Sequence, residues 1–334
     1  MNIANCIALT AGDINSIAPL ITLKAWLKLR NTPYSFVVIG HSQYLDKLIK
    51  HFSLPIQTCV VDNIEDIPNI FNKYLPVINI AQEYEWNIGV RSTANSLFTL
   101  SSIDLAIDYA LNKKVFAIVS NPIDKELIAQ GLGNKNFKGH TGYLGEKTHS
   151  KPIMMLCSTS SKTKVIPLTT HIPLKDIFSV LNESFIIESI KNIAENLSKN
   201  GFHNMSLAVC GLNPHAGDNG LMGHEEQEFI IPALAKLQSM GINCYGPFSA
   251  DTLFIQNSLE QYDVVIGMYH DQVLAPFKAL HFDDGVNCTL GLPFIRTSPD
   301  HGTAFSMANN IDTSENSLVS AIIMAYNLHK NQLK

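Results

Sequence analysis

Long hydrophobic runs are missing from this chain of 334 residues. No apolar stretch approaches the roughly 18 residues that span a bilayer, so no membrane partner is expected. Positive charge is also scarce. Lys and Arg number 24 against 29 Asp and Glu, a net charge of -5, and non-specific nucleic-acid binding needs the opposite balance. Cysteine is limited to six residues, none in a CxxC pair. Cys6, Cys157 and Cys210 lie in apolar strand-like runs, so buried free thiols in a reducing compartment, the cytoplasm, are expected. The opening MNIANCIALTAGD has no basic region and reads directly into a strand rather than as a signal peptide.

Several motifs are absent as well. There is no G-x-G-x-x-G after the first strand and no G-x-x-x-x-G-K-[ST]; GLGNKN at 131–136 lacks the third glycine. HEEQE at 224–228 is not H-E-x-x-H, and no G-x-S-x-G elbow occurs. A dinucleotide, if one binds, does so without the Rossmann fingerprint.

What is present is a large apolar content, 46% against 16% charged, enough for two domains or one large α/β unit with an insertion. Short apolar runs alternate with amphipathic ones, as in a βα-built sheet. Strands are expected at 3–9, 36–40, 115–120, 153–157, 165–170, 207–210 and 264–269. Helices are expected at 92–111, with Leu97, Leu100, Ile103, Ile107 and Ala110 on one stripe, and at 187–197, 225–237 and 317–328. No repeat, low-complexity tract or flexible linker interrupts the chain.

Ligands of open α/β sheets collect outside the carboxyl ends of strands. Three apolar strands here end at a histidine: VIPLTTH at His171, LAVCGLNPH at His215 and VVIGMYH at His270. A lone strand-end histidine is ordinarily a hydrogen-bonded structural residue. Three at equivalent positions point to one divalent-metal site with open positions for substrate. The stretch from His270 to Ala304 adds Lys278, Asn287 and Arg296. Lys and Arg supply charge and a bidentate fork for phosphate or carboxylate, although either alone could be a solvated surface group. Arg296 follows the apolar LGLPFI, an odd setting for a solvated charge. KGHTG offers His140 and Thr141 in a glycine-flanked loop fit for an anion. Asp251 reads equally as a base or as a helix N-cap.

With these residues assembled, TTHIPL, CGLNPHAG, ADTLF, MYHDQ and GVNCTLGLPFIRTSPDHGTA closely resemble the 4-hydroxythreonine-4-phosphate dehydrogenase family of vitamin B6 biosynthesis. The motifs follow the family's order from 115 to 305. The resemblance implies two α/β/α domains with a cleft between them, as in isocitrate and isopropylmalate dehydrogenases. The first would comprise 1–137 plus 288–334 on the cofactor side; the second, 138–287, would carry the metal ligands and the dimer interface. It implies a divalent metal, zinc or else magnesium or cobalt, on His171, His215 and His270. Substrate would meet His140, Thr141, Lys278, Asn287 and Arg296, with Asp251 and Lys278 in catalysis. His301, Gly302, Thr303 and Ala304 would cradle NAD or NADP. A homodimer with shared active sites is implied.

The implied reaction oxidises 4-phosphohydroxy-L-threonine to 2-amino-3-oxo-4-phosphooxybutanoate, which loses carbon dioxide to give 3-amino-2-oxopropyl phosphate. The ion would lower the hydroxyl's pKa, and Asp251 would accept its proton as hydride leaves for the nicotinamide. The alternatives are a dehydrogenase of another phosphorylated hydroxy acid, a metal-dependent hydrolase, or a non-enzymatic binding protein. Departures from the family pattern lie at the edge of the expected cofactor cleft. TAGDINSIAP has Ser16 and Ala18 where glycines are usual, Gly142 replaces a glutamate after GHT, and FSMANNIDTSE replaces a small, glycine-containing stretch beyond HGTA.

Overall fold

A computed structural model describes residues 6–133 and 137–333. Twelve strands alternate with helices: β1 Ile7–Thr10, β2 Phe36–Gly40, β3 Thr58–Val60, β4 Leu75–Asn79, β5 Ala117–Val119, β6 Ile153–Ser158, β7 Lys164–Thr169, β8 Leu207–Cys210, β9 Cys244–Phe248, β10 Val264–Tyr269, β11 Gly285–Leu290 and β12 Ile295–Pro299. The chain divides into two compact units, Met1–Pro152 with Gly291–Lys330, and Ile153–Leu290 with Asn331–Lys334. The first unit therefore runs past residue 137 and includes the helix Gly139–Thr148, with His140 and Thr141 near its start.

In the first unit the strand order is β3-β4-β2-β1-β5-β12, every pair parallel. The chain leaves β1 toward β2 on one side and later returns to lay β5 on the other. The loops after β1 and β5 thus diverge, the crevice where such sheets bind ligands. Helix Ala18–Leu29 is buried along most of its length, and Trp26, fully buried, donates its Nε1–H to Phe71 O at 2.9 Å. Phe71 meets the Trp26 ring edge-on, adding to the apolar burial that fixes this helix.

In helix Ser96–Leu111 the buried stripe is Phe98, Ser102, Ile103, Ala106, Ile107 and Ala110. Leu97, expected on that stripe, is 53% exposed. At 3.6 residues per turn the six residues from Leu97 to Ile103 rotate the helix by about 600°, which leaves Leu97 about 120° away from the stripe. Ser102 instead points inward, donating to Ile39 O at 2.6 Å and accepting from Ala11 N at 2.9 Å.

In the second unit the order is β11-β6-β7-β10-β8-β9. The β11/β6 and β6/β7 pairs are antiparallel; β7/β10, β10/β8 and β8/β9 are parallel. Helix His270–Leu280 lies on this sheet through Val273, Leu274 and Phe277, which pack with Leu156, Val165 and Ala208. Burying side chains of this size contributes about 1.5–3 kcal/mol each, so the helix, and His270 at its start, has a fixed seat.

All six cysteines are unpaired, five are buried, and Cys59 is half-buried. No helix among the described residues is long and apolar enough to cross a membrane.

Candidate functional site

The three strand-end histidines follow three adjacent strands of the second unit, β7, β10 and β8. Thr169 Oγ1, donating to Met268 O at 2.8 Å, ties the ends of β7 and β10 together. The rings of His171 and His270 then stand 5.7 Å apart between centroids. Two imidazoles sharing one tetrahedral ion hold their centroids on the order of 5 Å apart, so this pair fits a common metal. His270 Nδ1 lies 2.6 Å from Asp271 Oδ1. That contact places the ring proton on Nδ1 and leaves the Nε2 lone pair for a ligand, the usual carboxylate support of a metal-binding imidazole. His171 and His270 line one pocket of about 260 Å³ with Tyr269 and Asp271.

His215 occupies another pocket, of about 410 Å³, with Asp251, Tyr269 and Gln272. No group of three or more His, Cys, Asp or Glu is arranged to hold a metal among the described residues. The structure thus pairs His171 with His270 and sets His215 beside Asp251. Gln272, on the His270–Leu280 helix, links β10 to the end of β8, accepting from Met268 N at 2.7 Å and donating to Gly211 O at 2.6 Å.

His215 sits on unusual backbone. From His215 to Asn219 every φ is positive, at 53°, 52°, 77°, 42° and 55°. Four of these five residues are not glycine, and each left-handed L-residue costs roughly 1–2 kcal/mol. Such strain persists only where the surroundings hold it, and it gathers at functional loops. His171 is also left-handed, at φ 39°. Sequence reading missed what holds the His215 turn. Glu226, 2% exposed, accepts Leu212 N and Asn213 N on Oε1, both at 2.8 Å, and Asn213 Nδ2 on Oε2 at 3.0 Å. The available signal was the acidic EEQE at 225–228 before the apolar FIIPAL, downstream of glycines at 211, 217, 220 and 223.

Asp251 is not an N-cap. Ser249 precedes the short helix Ala250–Leu253, and Asp251 lies in its first turn. Its carboxylate accepts from Ser249 Oγ, a bond that, with the neighbouring His215, lowers its pKa below the ordinary 3.8. Lys278 is half-buried in the last turn of the His270–Leu280 helix. Asn287, on β11, has a solvent-inaccessible Oδ1 with no hydrogen-bond partner.

The first unit encloses an arginine beside a buried histidine. Arg296, on β12, is 3% exposed and donates from Nε to Ser120 Oγ at 3.2 Å. The surface-charge reading of this arginine is excluded. His140 Nε2 is solvent-inaccessible and unpartnered, and burial, then the nearby Arg296 guanidinium, hold its pKa well below 6.5. The ring is therefore neutral at physiological pH. Lys138, which precedes the helix Gly139–Thr148, makes no side-chain capping bond, so the first amides of that helix lack this partner. Gly142 has no room for a larger residue: a Cβ there would come within 2.3 Å of Lys138 Cβ.

His301, Gly302, Thr303 and Ala304 form the loop after β12. Thr303 O accepts Ile17 N at 3.1 Å, docking the loop on the segment that follows β1. Ala304 is left-handed at φ 39°, and a Cβ on Gly302 would meet nothing within 4 Å, so the face above Gly302 is open. The departures at Ser16 and Ala18 point inward. Ser16 Oγ donates to Asp13 O at 2.6 Å and accepts from Ala18 N at 3.1 Å, while Ala18 is fully buried. They replace backbone flexibility with internal bonds and leave the open face of the 301–304 loop untouched. Asp13, 6% exposed, has a pKa pushed up to about 6 by burial, against the lowering effect of the Asn15 amide.

Comparison with known proteins places this geometry. The family described as pyridoxal phosphate biosynthetic protein PdxA matches residues 32–325. A 4-hydroxythreonine-4-phosphate dehydrogenase of Bradyrhizobium diazoefficiens is 37% identical over 96% of both chains. The crystal structure of a protein of that name from Klebsiella pneumoniae superposes with a TM-score of 0.83 at 35% identity over 98% of each chain. A terephthalate 1,2-cis-dihydrodiol dehydrogenase from Burkholderia xenovorans shares the fold, with a TM-score of 0.62 at 21% identity, over 96% of this chain and 97% of that one. From the matched span, the level of identity and the shared fold, the chain belongs to the PdxA family.

Proposed function

We propose that the protein is a 4-hydroxythreonine-4-phosphate dehydrogenase that oxidises 4-phosphohydroxy-L-threonine with NAD or NADP and a divalent ion. The observation that carries this reading is the buried anion anchor: Arg296 almost wholly enclosed, beside a neutral His140 whose Nε2 lacks a partner. An orphaned buried ring nitrogen is costly unless a ligand completes it, and the enclosed guanidinium sets a positive charge beside it. Phosphate supplies both the charge and the acceptor oxygens. Thr141 and the amides at the start of the Gly139–Thr148 helix add donors.

Asn287 and Lys278 orient the rest of the substrate, the Asn287 Oδ1 accepting a hydrogen bond from a substrate amine or hydroxyl. Asp251, ionised by its Ser249 hydrogen bond, accepts the proton of the reacting hydroxyl. His171, His270 and, through its neighbouring loop, His215 would hold zinc, or else magnesium or cobalt. The imidazole pair and the Asp271 support fit such an ion. The open face over Gly302 fits the cofactor that His301, Thr303 and Ala304 would flank. When bound, the nicotinamide supplies a hydride acceptor and the ion polarises the substrate oxygen. The 3-oxo product then loses its carboxylate as carbon dioxide.

Exposed apolar side chains in the segments that follow His171 and His215, Leu174 at 65%, Phe178 at 60% and Leu221 at 82%, support a homodimer. Buried unpaired thiols support a reducing, cytoplasmic setting. The test is formation of reduced nicotinamide with 4-phosphohydroxy-L-threonine, measured with each cofactor and before and after chelation. Turnover only with a different phosphorylated hydroxy acid would replace this substrate, and no turnover with any would overturn the reading.

A further inference from the structure

We infer that Glu226 is a positioning residue: its buried carboxylate holds the left-handed turn that aims His215. The inference rests on the reading of His215 as a site residue. Five consecutive positive φ angles have no intrinsic reason to persist in a run that contains one glycine. The turn carries short-range backbone bonds, among them Ala216 N to Asn213 O and Met222 N to Gly217 O, both at 3.1 Å, but these do not tie it to the rest of the unit. Glu226 closes it from beneath. One oxygen takes the amides of Leu212 and Asn213, and the other takes the Asn213 side chain.

Two glycines, Gly211 ahead of the turn and Gly217 at its centre, are shaped to this carboxylate. A Cβ on Gly211 would come within 3.0 Å of Oε1, and one on Gly217 within 2.5 Å of Oε2. No lysine or arginine among the described residues forms an ion pair with Glu226, so converging amide donors compensate its burial. A widened π-helical turn, Glu226–Ile230, begins at this residue, and such turns recur where a side chain must be placed against the ordinary helical stagger. Because His215 is itself left-handed, the direction of its Cα–Cβ bond follows the turn. Losing the carboxylate therefore redirects the ring.

The test compares Glu226→Gln with wild type in two measurements that need no turnover. Gln keeps one acceptor for the amides but turns a donor toward Asn213 Nδ2. Diethylpyrocarbonate modification, read by peptide mass spectrometry on metal-free protein, should change several-fold at His215 and stay constant at His171 and His270. Titration with Co²⁺ alone should show affinity reduced by roughly 10- to 100-fold, the usual effect of losing support around a metal ligand. Asn213→Ala, which spares both amide bonds, should shift the same readouts by less. Uniform changes at all three histidines, or unchanged His215 reactivity in both variants, would overturn the positioning role. Wild-type protein that fails to bind Co²⁺ would remove the metal reading, while the His215 measurement would still decide the role of Glu226.

Discussion

Replacing Asp13 by Asn should stabilise the ligand-free protein above neutral pH and leave it unchanged in acid. Burial raises the Asp13 pKa from an ordinary 3.8 to about 6. The folded state therefore binds a proton that the unfolded chain has already released between those values. Stability falls as pH climbs from about 4 to about 6, and the deficit stays constant beyond. At about 1.4 kcal/mol per pH unit the gap amounts to roughly 3 kcal/mol. That is an upper figure for the substitution, because the amide nitrogen of Asn needs a partner of its own. The Asn15 N–H, 3.1 Å from Asp13 Oδ1, keeps an acceptor in the variant. Urea unfolding at pH 7.5 and at pH 4, for both proteins, gives the comparison. An equal difference at the two pH values, or a less stable variant at 7.5, would show that the Asp13 charge is not strained in the fold. A carboxylate kept buried in the segment after β1 at such a cost is a mark of function over stability.

Arg296→Ala should raise KM for the phosphorylated substrate by roughly 10- to 100-fold, the loss of charged hydrogen bonds, and change KM for the dephospho analogue far less. Equal effects would remove the phosphate role. Asp251→Asn should depress kcat, and because the wild-type carboxylate titrates below 3.8, the acid limb of the wild-type kcat profile should lie in that low range. An acid limb near neutrality would assign the base elsewhere. Phe178→Asp, at a side chain 60% exposed, should move the protein toward monomer in sedimentation velocity without lowering its melting temperature. An unchanged sedimentation coefficient would place the dimer contact on another face.

The parts of the fold that were legible in the sequence are those where apolar periodicity had no competitor. Strands at 36–40, 207–210 and 264–269 fall where the runs FVVIG, LAVC and VVIGMY place them, and the first strand starts at Ile7, residues 3–5 of that expectation lying outside the described residues. Strands β4 and β9 were hidden by Pro76 and Pro247, β3 by its length of three residues, and β11 and β12 by Asn287, Arg296 and Pro299, polar or ring-bearing residues that break the apolar signal. The same contrast runs through the site. The histidines stood out because each follows a buried apolar strand, and Arg296 because LGLPFI precedes it. Glu226 and Gln272 act through contacts to residues 211–213, and no spacing rule in one sequence joins residues that meet only through a turn of this shape.

The unpaired thiols form a set of internal clocks. Cys6 belongs to the first unit, and Cys157, Cys210, Cys244 and Cys288 to the second. Burial raises the pKa of Cys6 far above the ordinary value and that of Cys210 to about 12, so neither reacts from its folded position. An alkylating reagent should therefore label the half-buried Cys59 first. It then records, cysteine by cysteine, how often each unit opens on its own.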